Sequence, residues 1–268
     1  MTTTTPRAVV RDDGQPAGAA VEAVRLVNVR KVYGTTANPV AALDGVTLGL
    51  PSGSFTAVMG PSGSGKSTFL QCAAGLDLPT TGRVYIQGEE LAGNSEAVLT
   101  KFRRQRVGFV FQQFNLLPTL TVMQNVTLPL RLAGRKIDRR RCREILGRVG
   151  LGDRLDHRPA ELSGGQQQRV AIARALVTDP RVVFADEPTG ALDSRSAREV
   201  LELLRESVQV YDQTVVMVTH DPVAASYADS VVFLVDGRLA GGLDNPTADA
   251  VAERMAHLGE THDVQAGA

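Results

Sequence analysis

Gly60, Pro61, Ser62, Gly63, Ser64, Gly65, Lys66 and Ser67 follow one another in a spacing that suits few tasks. Glycines let a backbone curl around an anion with its amide hydrogens turned inward, and a helix starting there adds the positive end of its dipole. A triphosphate is the natural guest. Lys66 would set a full charge toward the β and γ phosphates, and the Ser67 hydroxyl would reach Mg²⁺, with Thr68 next at the helix start. The apolar run 55–59 before the loop and the helical pattern 68–74 after it give the order of strand, loop and helix that a phosphate loop requires. A Gly/Ser-rich surface loop is the alternative, and it does not need that context.

Residues 181–187 form an apolar run that ends in two carboxylates, Asp186 and Glu187. Asp186 is suited to the outer shell of the metal. Glu187, one step past the strand, is suited to polarise an attacking water, a general-base task worth about 10² to 10⁴ in rate. Taken alone, two solvated acids at a strand end would read the same way. Ser163, Gly164, Gly165 and Gln166 stand directly before another helical pattern, 167–177. Ser163 can cap that helix and the glycines allow close backbone approach, which makes a second anion site or, in isolation, an ordinary helix start.

These loops need a sheet to hold them. Apolar runs at 55–59, 182–185, 214–219 and 230–235 suit strands buried on both faces, as in a parallel sheet covered by helices. Segments 24–33, 46–50 and 83–87 alternate or end in glycine-containing turns, which predicts a smaller antiparallel sheet beside the α/β core. From 112 to 162 the pattern turns helical, punctuated by Pro118, Pro129, Gly134, Gly150 and Pro159, and reads as a helical insert in one folding unit.

The chain has 268 residues, 43% of them hydrophobic and 22% charged, the balance of a globular protein with a substantial core. Lys plus Arg is 29 and Asp plus Glu is 29, so no global field draws in nucleic acid or anionic lipid. Only Cys72 and Cys142 occur, the sparse usage of a reducing compartment, and both read as without catalytic function. No stretch approaches the roughly eighteen apolar residues that span a bilayer. Residues 1–22 read as a disordered leader and 242–268 as a frayed tail with a weak helical pattern near 248–258, which leaves 23–241 as the domain and about 113–162 as its helical part. His157, His257 and His262 have no metal-ligand spacing.

Over about 24–241 the sequence resembles an ATP-binding subunit of the ABC transporters. The phosphate loop, the Leu-Ser-Gly-Gly-Gln run from Leu162 and the apolar run ending in Asp186 and Glu187 stand in the family's order. Four further positions match: Tyr33 ahead of the core, Gln112 after the apolar run 107–111, Asp193 within 190–194, and His220 after 214–219. The resemblance implies an α/β fold, a P-loop NTPase (RecA-like) core with an antiparallel β subdomain and a helical subdomain. It implies ATP and Mg²⁺ as cofactors, with Tyr33 stacking on adenine. Gln112 would contact Mg²⁺ and the attacking water, and His220 would hold the γ-phosphate and water in line with Glu187. In this family Ser163, Gly164 and Gly165 would face the phosphate loop of a second copy, so that a twofold pair encloses two nucleotides.

Segments 41–48, 59–68, 75–88, 108–130 and 186–194 are similar to the branch that contains macrolide-export, lipoprotein-releasing and cell-division ATPases. That branch implies a homodimer beneath a separate FtsX- or MacB-type permease, at the cytoplasmic face of the membrane. It implies membrane contact only through that permease and no nucleic-acid partner. A regulatory ATPase that transmits force without moving solute fits the same motifs, whereas a soluble ABC protein of translation or DNA repair is disfavoured by the single cassette and neutral charge. Phe114, Leu116, Leu117, Leu120 and Met123 either line a groove for a permease helix or belong to the core. Arg139, Arg140, Arg141 and Arg143 read as a solvated helix face, with attraction to anionic lipid head groups as the other reading.

Overall fold

A computed structural model describes residues 22–35, 38–91 and 95–266. The elements run β1 (Glu22–Thr35), β2 (Asn38–Pro51), β3 (Phe55–Met59), α1 (Lys66–Ala73), β4 (Thr81–Ile86), β5 (Glu89–Glu90), α2 (Glu96–Arg106), β6 (Val107–Phe111), α3 (Val122–Leu132) and α4 (Arg139–Arg148). A 3₁₀ turn (Pro159–Glu161) precedes α5 (Gly164–Leu176), β7 (Val182–Asp186), α6 (Ser194–Tyr211), β8 (Val215–Val218), α7 (Pro222–Ala225), β9 (Ser230–Val235), β10 (Arg238–Asp244) and α8 (Ala248–Ala266). Asn94–Val215 form one compact unit, and the described residues on either side of that stretch form the other. The leader 1–22 lies outside the described residues except for Glu22, where β1 begins.

In the flanking unit an antiparallel sheet is ordered β2-β1-β4-β5, and Leu26 pairs with both Leu48 and Val84. The second sheet of this unit runs β10-β9-β3-β8. All five residues of β3 are buried, and β3 lies parallel to β9 with Met59 opposite Phe233. Continuous apolar runs form these strands because both of their faces are covered. The first half of β2, residues 38–43, carries no such pattern and is largely exposed, which is why the sequence places that strand only at 46–50.

The tail expectation needs correction. β10 continues past Gly241 to Asp244, paired with β9, and α8 follows with Val251 fully buried. Val251 is followed by exposed Ala252, Glu253 and Arg254, which blurs the periodic signal, and the helix packs against α7 and β9.

In the central unit β6 and β7 run parallel with Phe111 opposite Asp186. α5 buries Val170, Ala171, Ile172 and Ala173, and α6 buries Val200, Leu201 and Leu204. α3 and α4 fall inside the segment expected to be helical. α2 was not anticipated, because only Leu99 of its eleven residues is buried.

Candidate functional site

In the flanking unit the chain leaves β3 at Met59 and enters α1 at Lys66. Gly65 takes φ 97°, and a Cβ there would lie 2.2 Å from the Ala42 carbonyl oxygen, so only glycine allows this close approach. Gly63 takes φ 80° with open space where a Cβ would point. Lys66 Nζ donates to the Gly60 and Pro61 carbonyls at 2.9 and 2.7 Å, which holds the ammonium over the loop. No side chain caps α1 at Gly65, and the amide hydrogens of a helix's first turn have no intrahelical acceptor. The buried Ser64 hydroxyl is likewise without a partner among the described residues. Uncapped amides, an ammonium and open space at Gly63 fit a phosphate chain.

Other contacts of the same unit fix this loop. The Gly237 amide donates to the Ser64 carbonyl at 3.0 Å, and the Gly237 carbonyl accepts from Asp44 N–H at 2.9 Å, so the β9–β10 turn braces the loop from behind. The buried Thr219 donates its amide to the Val58 carbonyl at 3.2 Å, two residues before the loop begins. Its hydroxyl accepts from Asp221 N–H, and Asp221 in turn caps α7. His220, exposed between the two, is thus carried on a turn pinned at the carboxyl end of β3.

Tyr33 ends up 39% exposed, enough to present a ring face. Its hydroxyl donates to Asp77 at 2.9 Å, and Lys31 lies 5.0 Å from the ring centroid while pairing with Asp77 at 2.6 Å. Burial and the bond to Asp77 hold the phenol above its ordinary range, and a hydrogen bond with Thr68 works the other way. Tyr33 is therefore tied to the first turn of α1. Burial raises the Asp77 carboxyl, but the hydrogen bonds from Lys31 and Tyr33 outweigh it, and the group sits below its usual range.

In the central unit the pairing of Phe111 with Asp186 puts Gln112 and Glu187 at neighbouring strand ends. Gln112 lies over Gly190, where an added Cβ would meet its amide nitrogen at 2.7 Å, and the Gly190 amide donates to the Glu187 carbonyl at 3.1 Å. Asp186 and Glu187 are half-buried, and Glu187 adopts φ 47°, a left-handed conformation that costs a non-glycine residue free energy. Ser163 Oγ accepts from Gln166 N–H while Gln166 Oε1 accepts from Ser163 N–H, a closed capping box at α5. A Cβ at Gly165 would strike Ser196 Oγ at 2.7 Å, so the α5 start packs against the α6 start. There Asp193 accepts from the Arg195 and Ser196 amides at 3.0 Å each, and the Ser196 bonds lead in holding its carboxyl below the usual range.

A family model described as ABC transporter matches residues 43–190. The chain belongs to the ABC transporter ATP-binding family. The bacitracin export ATP-binding protein BceA of Halalkalibacterium halodurans is 42% identical over 214 residues, 79% of this chain and 85% of that one. The macrolide export ATP-binding/permease protein MacB 1/2 of Paracoccus denitrificans is 48% identical over 81% of this chain, which covers 32% of that longer protein. A dimeric ATP-binding cassette, MJ0796, solved in a post-hydrolysis state bound to ADP and Pi, matches with TM-score 0.76 and 43% identity over 83% of this chain and 98% of that one. The fold is that of the P-loop NTPase cassettes.

Three residues of this ABC protein organise the central unit without having been singled out in the sequence. Gln168 is fully buried, and its amide donates to the Phe111 carbonyl at 3.3 Å and the Pro188 carbonyl at 2.7 Å. It ties the strand end that carries Gln112 to the turn that carries Glu187. Arg174 of α5 donates to the Phe114 and Asn115 carbonyls. The buried Asn125 accepts from Leu117 N–H at 2.8 Å and donates to the carbonyls of Leu117, Leu120 and Thr121 at 3.1 Å each. Between them they fix the backbone of 114–121. Phe114, Leu116, Leu120 and Met123 are half-buried and Leu117 is 45% exposed, so these five are not simply core. The one local signal was Asn125 placed four residues past Thr121, the cap of α3; nothing adjacent in the chain marks Gln168 or Arg174.

Proposed function

We propose that this protein is the Mg²⁺-dependent ATPase of an ABC transporter, working as a homodimer that encloses two nucleotides and drives a separate FtsX- or MacB-type permease in export or extraction. The observation that carries this is the phosphate loop, with its uncapped α1 start and Lys66 ammonium held over it. The dimeric state of the MJ0796 cassette and the export functions in the names of BceA and MacB support the pairing and the direction.

The roles follow from the donors. ATP supplies the phosphoanhydride to be broken and the bridging charge between subunits. Lys66 and the amides of 60–68 bind its phosphates, and Tyr33 offers its exposed ring face to adenine. Ser67, Gln112 and Asp186 are oxygen donors suited to Mg²⁺, which keeps phosphate and water oxygens as its remaining ligands. Glu187 takes the proton from water, and His220 and Gln112 orient that water. Ser163, Gly164 and Gly165 of one copy receive the γ-phosphate held by the other, with Gln166 fixing the turn and Asp193 fixing the neighbouring helix start.

Among the described residues no helix is long and apolar enough to cross a membrane. The transport pathway is proposed to lie in the permease. The rigid, partly exposed loop 114–123 is the proposed seat of that partner, at the cytoplasmic face of the membrane. Size-exclusion chromatography of Glu187→Gln tests the pairing: ATP should convert monomer to dimer, and a persistent monomer with ATP bound would refute it. Co-purification with a multi-span permease tests the partner.

A further inference from the structure

A cleft of about 280 Å³ lies between α3 and α4, and three of its walls are arginines: Arg131 from the last turn of α3, and Arg139 and Arg143, one turn apart on α4. None of these three guanidinium groups has a hydrogen-bond or ion-pair partner among the described residues. The other arginines of the same basic run are neutralised, Arg140 by Glu144 at 3.7 Å and Arg141 by Asp179 at 2.9 Å. The free cations are therefore sorted onto the cleft side of α4. Asp156 is the one acid that lines the cleft, which leaves it net cationic on a chain whose total charge is zero. Arg148, at the far end of the same helix, lies over the Tyr211 ring, 4.3 Å from its centroid.

Planar guanidinium forks bind the oxygens of phosphates and carboxylates in bidentate pairs. The volume sits at the small end of ligand clefts, which suits a single phosphate with its ester and not a nucleotide. The cleft also borders the apolar loop, because Met123 lines both. A cationic site beside exposed apolar side chains is the pattern of a surface that meets the head-group region of a bilayer.

We propose that Arg131, Arg139 and Arg143 form a binding site for the phosphate of an anionic lipid head group, a membrane contact made by this protein itself and not only through its permease. The source of the phosphate rests on the proposed transporter role, but the test needs no permease, so its failure leaves that role standing. Soluble phosphate esters share the chemistry and are separated by the experiment.

The full chain is floated with phosphatidylcholine vesicles, and with the same vesicles containing phosphatidylglycerol. Co-flotation with the anionic vesicles alone is expected, and Arg131→Gln/Arg139→Gln/Arg143→Gln should lower the bound fraction about tenfold or more. A matched control, Arg83→Gln/Lys101→Gln/Arg198→Gln, should change it little, and ATPase activity in solution should stay within about twofold in both variants. Should the cleft variant not fold, Arg139→Gln alone and the salt dependence of the wild-type protein replace it. Equal loss in both triple variants would reduce the effect to bulk charge and overturn the proposal. Absence of binding to anionic vesicles would overturn it as well. Binding of glycerol 3-phosphate with the same arginine dependence, but without vesicle flotation, would replace the lipid by a soluble ester.

Discussion

Ser163 and Gln166 hold each other: the hydroxyl of Ser163 accepts from the Gln166 amide at 3.3 Å, and the Gln166 side-chain oxygen accepts from the Ser163 amide at 2.9 Å. A serine hydroxyl used as acceptor still has its proton to donate. The cap thus stabilises α5 and leaves one donor for the proposed contact with a phosphate oxygen of a second copy. Ser163→Ala is expected to lower stability by about 1 kcal/mol in urea unfolding. It should also abolish the ATP-dependent dimer while nucleotide binding to the monomer persists. A variant that still dimerises with ATP would confine Ser163 to capping.

Glu187 sits in the left-handed region at φ 47°. Glutamine matches its shape and backbone demands but cannot take a proton. Glu187→Gln should therefore lower kcat by about 10² to 10⁴ with nucleotide affinity near that of the wild type. Steady-state hydrolysis and fluorescent-nucleotide titration read the two quantities. Near-normal turnover would remove Glu187 from the chemistry.

Gln168 bonds the carbonyls of Phe111 and Pro188 and so aligns the two strand ends. Gln168→Leu keeps the volume but leaves both buried carbonyls unpaired, at about 1–3 kcal/mol each. As a positioning residue it should reduce kcat with little change in the KM for ATP. A variant that is only less stable, with kcat intact below its melting range, would make Gln168 structural.

Asp77 joins Lys31 to Tyr33, and although burial pushes its carboxyl up, these bonds hold it below the usual carboxylate range. A group with a depressed folded pKa stabilises above its unfolded pKa, and that contribution disappears as pH falls through the folded value. The wild type should therefore lose more stability than Asp77→Asn as pH drops below about 4. Because Asp77 also steers Tyr33, the variant should bind ATP more weakly at neutral pH. Parallel acid-unfolding curves would expose the opposite outcome.

Leu117 is 45% exposed on a backbone held by Asn125. Leu117→Asp should fold normally and hydrolyse ATP in solution within about twofold of wild type, because an exposed substitution away from special features changes stability by about 0.5 kcal/mol or less. Co-purification with the permease should fail. If the variant unfolds instead, the loop is core.

The sequence alone determined the local chemistry. The glycine spacing from Gly60 to Gly65 and the carboxylates closing an apolar run name their tasks, because loop curvature and strand ends are set by residues adjacent in the chain. The same holds for the Ser163 cap, whose partner lies three residues on. Tertiary structure alone decided what depends on partners remote in sequence. Gln168 reads as one more glutamine until it is found bonded to Phe111, 57 residues away. Residues 242–266 look like a tail until Val251 is buried. Arg139, Arg140, Arg141 and Arg143 are one basic run in sequence; Glu144 lies one helical turn past Arg140, but only folding brings Asp179 to Arg141 and α3 to Arg139 and Arg143. Burial and charge pairing are sums over neighbours that the chain brings together only by folding, and no local pattern contains them.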